Sequence, residues 1–150
     1  MKKITLFLFA LFTCWQINAQ VSAYSFSETT ETYAQITGTT STATGDDGSQ
    51  NTIAIGFTFN FGGVDYTTFS INTNGWIRLG NTITTGSFTN ALGNAAAYRP
   101  LIAAFWDDNN MTGGEIRYSL TGTAPNQVLT VNWHNSKIGG GGSTAGPAVS

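Results

Sequence analysis

Ile53-Ala54-Ile55-Gly56-Phe57-Thr58-Phe59-Asn60-Phe61 places a large apolar residue at every second position. A period of two belongs to an extended strand with one face turned to an apolar interior, because successive side chains leave the backbone on opposite sides. Full burial of all five odd positions would contribute on the order of 10 kcal/mol gross, at about 1.5–3 kcal/mol each. Nothing else in the 150-residue chain concentrates as much apolar surface. Downstream, Gly62-Gly63 is a tight-turn signal, and Tyr66 to Asn72 reads as the returning strand. Asn74-Gly75 is a stronger hairpin signal, since both residues tolerate positive φ. Trp76 to Leu79 follows as a strand, with Ile77 and Leu79 on one face and Trp76 and Arg78 on the other.

Further along, Leu101 to Trp106 is a continuous apolar run of strand length, the pattern of a strand buried on both faces. Asp107-Asp108-Asn109-Asn110 ends it in a polar loop, and Gly113-Gly114 turns the chain. Glu115 to Thr121 alternates, and so does Gln127 to His134, with Leu129, Val131 and Trp133 on one face. Upstream, Tyr24-Ser25-Phe26-Ser27 and Thr32 to Thr37 read as short strands, the second anchored by Tyr33. Gly38 to Gln50 is turn-rich, and Asn81 to Ala97 reads as irregular. No segment has helical periodicity. Six or more strands joined by short turns define an all-β class, here an antiparallel, jelly-roll-like β-sandwich.

The first residues stand apart. Lys2-Lys3, an apolar run from Ile4 to Trp15, and Ile17-Asn18-Ala19 have the order of a secretory leader, with cleavage expected after Ala19. The run is short for a membrane span, and Thr13 before Cys14 departs from a lipoprotein signal. The expected organisation is a signal peptide over 1–19, a sandwich over 20–138 and a Gly-rich flexible tail over 139–150. The chain reaches residue 150 without another strand signal, which reads as a sandwich incomplete at its C-terminal end. Loss of the leader removes Cys14, the only cysteine, and so excludes disulfides and Cys-based metal sites. It also leaves four basic against eight acidic residues, net −4. Such a weakly acidic, sparsely charged domain has no electrostatic footprint for nucleic acid or an anionic membrane surface. Secretion or cell-surface display is the expected location, without membrane insertion once the leader is gone.

Several motifs together resemble a known module: Ile55-Gly56-Phe57-Thr58-Phe59-Asn60-Phe61, Asn72-Thr73-Asn74-Gly75, Ala104-Phe105-Trp106-Asp107-Asp108, Gly114-Glu115-Ile116-Arg117-Tyr118 and Asn132-Trp133. The resemblance is to an N-terminal β-sandwich module of large secreted Bacteroidetes proteins exported by the type IX route, and more loosely to the nidogen-type extracellular module. It covers most of Tyr24 to Asn135. It implies a non-catalytic surface or extracellular module, used in adhesion, binding or spacing, and no catalytic residues. Such modules continue with another pair of strands where this chain has Gly139-Gly140-Gly141-Gly142, and no C-terminal sorting domain is present in the sequence.

Candidate chemistry is sparse. Asp107, Asp108 and Asn109 offer hard oxygen donors of the kind Ca²⁺ takes, with Asp46-Asp47 as a second contributor, although the spacing is not that of an EF-hand. The alternative is that they terminate a strand by bonding loop backbone. A glycoside hydrolase would pair two of Asp107, Asp108 and Glu115 across one bond. Adjacent Asp107 and Asp108 diverge in an extended chain, so this is the remotest reading. His134 is the only histidine and reads as surface. Trp76, Arg78 and Tyr98 form the candidate ligand face, where a sugar ring would stack on aromatics and bond to the guanidinium. Core packing is the alternative for Trp76 and suits Trp106 and Trp133. A glycan or an extracellular protein is the partner this pattern allows. Asn110-Met111-Thr112 matches a glycosylation sequon, a chance event in so Asn- and Thr-rich a chain.

Overall fold

The structure is a computed structural model that describes residues 25, 27–30, 32–91, 93 and 97–139. The leader over 1–19, Tyr24 and Phe26 of the expected first strand, and residues 140–150 of the expected tail lie outside the described residues. The chain divides into two compact units, Met1–Thr30 and Glu31–Ser150. In the first, Ser25 and residues 27–30 are exposed and carry no regular structure.

The described residues form nine strands: β1 (Thr39–Thr40), β2 (Ser49–Phe61), β3 (Val64–Asn72), β4 (Trp76–Leu79), β5 (Leu101–Ala103), β6 (Asn109–Asn110), β7 (Glu115–Thr121), β8 (Val128–His134) and β9 (Lys137–Ile138). They make a four-stranded sheet of order β2-β3-β4-β5, a three-stranded sheet of order β1-β7-β8, and a small β6-β9 pair. Every pairing is antiparallel. No α-helix occurs among the described residues.

The two larger sheets close over one interior, as the alternation of the sequence requires. Ile53, Ile55, Phe69, Ile71 and Leu79 of the four-stranded sheet meet Ile116 and Trp133 of the other, with Ala43 and Met111 filling between. Phe69 and Tyr118 cross edge to face, centroids 5.8 Å apart, the geometry the ring quadrupoles favour. The opposite face of the four-stranded sheet is also covered. Residues 80–91 and 97–100 lie across it, so that Trp76, Ile83 and Trp106 are buried together, with Tyr98 and Leu101 against them.

Three expectations need correction. Only Ile53 and Ile55 of the five alternating positions are fully buried; Phe57 and Phe59 are half-buried and Phe61 is 39% exposed. The cause is a bulge. The β2–β3 register jumps from Ala54↔Thr68 to Phe59↔Tyr66, with Gly56 at φ 91°, and the hairpin end runs on beyond the covering sheet. Secondly, Leu101–Trp106 is not a doubly buried strand. Its strand portion ends at Ala103, at the edge of the sheet, with Ile102 and Ala103 exposed. The amides of Ala104 and Phe105 turn onto the carbonyl of Gly75, at 3.2 and 3.1 Å, and carry Trp106 to the other face. Thirdly, Thr32–Thr37 forms no strand. Pairing with β7 starts only at Thr39↔Tyr118, and the earlier residues are held by side chains.

Thr52 has φ 59°, an exposed β-branched residue in the left-handed region, where the register shifts between Gln50 and Ile53. That conformation costs an L-residue about 1–2 kcal/mol and is tolerated by asparagine. Thr52→Asn, which keeps the bond from the residue 52 amide to Ser70 Oγ, is expected to raise the melting temperature by about 2–5 °C in a thermal scan.

Candidate functional site

The polar cluster read as a calcium loop is occupied with holding the chain together. Asn72, Thr73 and Asn74 are wholly buried between the end of β3 and the start of β4. Asn72 donates to Gly48 O at 3.1 Å and Ser49 Oγ at 2.8 Å, and its Oδ1 accepts from the Asn74 amide at 2.9 Å. Thr73 donates its hydroxyl to Asp46 O and its amide to Gly48 O. Asn74 donates to Asp47 Oδ1 at 2.9 Å and accepts the Asn109 amide at 2.8 Å. Gly75 closes the turn at φ 80°, and any Cβ there would fall on the carbonyl of Phe105.

The three candidate cation ligands divide accordingly. Asp107 Oδ1 caps the Asp108 amide at 2.8 Å. Asn109 is buried, its Nδ2 bonded to Phe105 O at 2.8 Å while its Oδ1 has no hydrogen-bond partner. Among the described residues, no group of three or more His, Cys, Asp or Glu converges in a way that could hold a metal ion. Asp107 thus bonds loop backbone, Asp108 accepts the Gly139 amide on its carbonyl, and Asn109 ties the loop to the Asn72–Gly75 turn.

The candidate sugar platform is also corrected. Trp76 is wholly buried, so its ring faces cannot receive a ligand. The reason is the covering loop. Trp76 and Trp106 both donate their indole N–H to the carbonyl of Ser87, at 3.0 and 2.8 Å, and their rings lie 5.9 Å apart. Tyr98 leans on both, at 5.6 and 6.3 Å. Hydrogen bonds from Ser87 first and Thr85 second hold its phenol below the ordinary tyrosine range. Arg78 spans the same loop, donating to Thr82 O at 2.9 Å and Arg99 O at 3.3 Å. Trp76 and Tyr98 belong to a second apolar core, and Arg78 bonds the backbone of the segments beside it.

Glu115 and His134 sit opposite each other on β7 and β8. Glu115 pairs with Arg117 at 3.0 Å and accepts Gln35 Nε2 at 2.6 Å; the Arg117 bond chiefly holds its carboxyl below the usual range. Tyr33 stacks on His134 with rings 5° from parallel, its hydroxyl 3.2 Å from Nδ1 and 3.3 Å from Asn132 Oδ1. His134 is therefore half-covered, and the residues that cover it come from a segment read as an independent strand.

One feature escaped the sequence reading. An apolar groove of about 250 Å³ opens between the two main sheets, floored by Phe57, Phe59, Ile77, Leu79 and Ile102 and walled by Gln127–Leu129 at the start of β8. Its signal was present in Ile102 and Val128, apolar residues on strands whose exposure depends on sheet order. Sheet order is not written in a local pattern.

Sheet topology, the buried Asn72–Gly75 turn and the twofold covering of the four-stranded sheet define the class as an antiparallel β-sandwich. The chain belongs to the NIDO-related family, whose model matches residues 23–150. No curated protein and no solved structure matches it. Among the described residues, no helix is long and apolar enough to cross a membrane.

Two outcomes follow from the polar turn. Asn74→Ala leaves the buried Asn109 amide without an acceptor, and is expected to cost about 2–5 kcal/mol in denaturant unfolding, at about 1–3 kcal/mol for each unsatisfied group. Since the turn is closed by protein atoms, the wild-type melting midpoint is expected to be the same in chelator and in millimolar calcium.

Proposed function

We propose that the chain is an exported, non-catalytic β-sandwich module of an extracellular or cell-surface protein, with an adhesion or binding role. Membership of the NIDO-related family over residues 23–150 is the observation that carries this reading. The leader-like order of Lys2-Lys3, Ile4–Trp15 and Ala19 supports the export half. Type IX export in a Bacteroidetes cell is the narrower form, resting on the motif resemblance alone. The binding half is supported by the polar chemistry already described. Asp107, Asn109 and Glu115 each serve a loop or an ion pair within the module. Contact through surface shape and exposed strand edges is then the interaction mode left to it, and an extracellular polypeptide is a better partner than a sugar stacked on Trp76.

Expression of the full chain with its own leader in a Gram-negative host tests the export half. The expected product outside the cytoplasm begins at Gln20. A full-length chain retained in the cytosol overturns it.

A further inference from the structure

We propose that the groove between the two main sheets is a ligand site for the hydrocarbon tail of a single-chain amphiphile, about ten carbons long by its volume. The proposal goes beyond the polypeptide-binding role just described and does not depend on it.

The groove belongs to the space between the sheets. The four-stranded sheet contributes Ile55 and Phe59 from β2, Leu79 from β4 and Ile102 from β5. Gln127 and the start of β8 close it from the facing sheet. The register jump at Gly56 puts a bend in β2 beside it.

Charge, exposure and size together select the occupant. Among the described residues that line the groove, none is charged, and Gln127 alone has a polar side chain. An ionised group carried inside would lose its water without gaining a partner, so the enclosed part of the ligand is apolar. Ile55 and Leu79 are buried, whereas Ile102 is 37% and Val128 54% exposed. The groove therefore has an inner end in the core and an outer end in water. A molecule that suits both has an apolar tail and a polar head. Gln127, half-buried beside Val128, offers that head an amide donor and an acceptor.

A cavity of about 150 Å³ accepts the six carbons of benzene, so the groove, at about 250 Å³, takes about ten. Ile55 and Ile102 stand on the two outermost strands of the four-stranded sheet, about 14 Å apart by strand spacing. A volume of about 250 Å³ drawn out over that length has a mean section of roughly 18 Å². That is room for a single file of methylene groups, not for a fused ring system or for the two tails of a bilayer lipid. A second cavity, of about 280 Å³, shares Ile55 and Leu129 with the first. These two side chains form the wall between the cavities, and so set the length of tail accepted.

The test titrates the purified full chain with 1-monoacylglycerols of six to fourteen carbons, each below its micelle concentration. Affinity is expected to rise about fourfold per added methylene, and to level off near ten carbons. Val128→Trp blocks the mouth from an exposed position. It is expected to weaken binding of the decanoyl ester about tenfold or more while melting close to wild type. Leu129→Ala removes the wall and is expected to move the plateau to twelve or fourteen carbons. The plateau and Val128→Trp decide the site even where Leu129→Ala does not fold. Val64→Asp, exposed at the hairpin end and outside the groove lining, is expected to bind normally. Affinity that climbs evenly through fourteen carbons and is indifferent to Val128→Trp would overturn the site. So would the absence of binding at the solubility limit of the decanoyl ester. Cosedimentation with phosphatidylcholine vesicles, in place of binding in solution, would overturn the single-chain ligand.

Discussion

The buried turn Asn72-Thr73-Asn74-Gly75 is the constraint on which the rest of the molecule depends. Three separated parts of the chain converge on it. The 46–49 loop supplies carbonyl and side-chain acceptors, the 104–109 segment supplies amides, and the indole of Trp133 donates to Asn72 O at 3.0 Å from the facing sheet. Buried polar groups stabilise a fold only where they are satisfied, and a half-satisfied network is worse than an apolar one. Here the side-chain polar atoms of Asn72 and Asn74 have partners, and the buried Oδ1 of Asn109, at the edge of the network, has none. The turn fixes where β4 departs from β3, and the two amides on Gly75 O fix where the chain leaves β5 for the outer face. The position of both apolar interiors follows from one polar knot.

That dependence explains which features the sequence disclosed. Alternation in Ile53–Phe61, Glu115–Thr121 and Val128–His134 is a local property, and those strands form where they were read. Asn74-Gly75 demanded a tight turn with positive φ, and Gly75 has φ 80°. The fate of Trp76 was not local. Its neighbours Ile77 and Leu79 identify the face it occupies, but whether that face is exposed depends on residues such as Ile83, Ser87 and Tyr98 packing over it. Those residues carry no periodic signal, because their anchoring rests on single contacts such as Ser87 O with two indoles. Leu101–Trp106 misled for a related reason. An unalternating apolar run fits a strand buried on both faces, but here its members go to different places. Leu101 and Trp106 enter the second core, while Ile102 faces the groove.

The aspartates and asparagines illustrate how composition disguises role. In a chain with few charges and many Asn, Thr and Gly residues, the same side chains that would ligate calcium are the ones that stand in for backbone hydrogen bonds at turns. Burial separates the two roles. A cation ligand needs its oxygens turned to a common point, whereas Asp47 Oδ1 and Asp107 Oδ1 each accept an N–H of the loop they support. Sequence spacing carries no information on that direction.

The distribution of these constraints makes the two ends of the sandwich unlike. At the Asn72–Gly75 end, side-chain bonds from three loops close the interior. At the β2–β3 hairpin end, the chain turns at Gly62-Gly63, and Phe57, Phe59 and Phe61 pass from half-buried to exposed beside the exposed bond from Asn60 Nδ2 to Asp65 Oδ1 at 2.6 Å. Local opening is governed by the buried contacts and hydrogen bonds that must be given up, so the hairpin end is the more readily opened of the two. Bulging at Gly56 lets the strand bend there, and a side chain at that position would meet Leu120 on β7. The glycine thus permits both the bend and the close approach of the sheets. The apolar residues beyond it are held by ring contacts, Phe57 with Phe59 at 6.4 Å and Phe59 with Phe61 at 6.2 Å, and Phe57 and Phe59 also pack on the main core. A sandwich closed at one end by buried polar bonds and left more apolar and accessible at the other has its rigidity and its exposed apolar surface in separate places, so variation of one need not disturb the other.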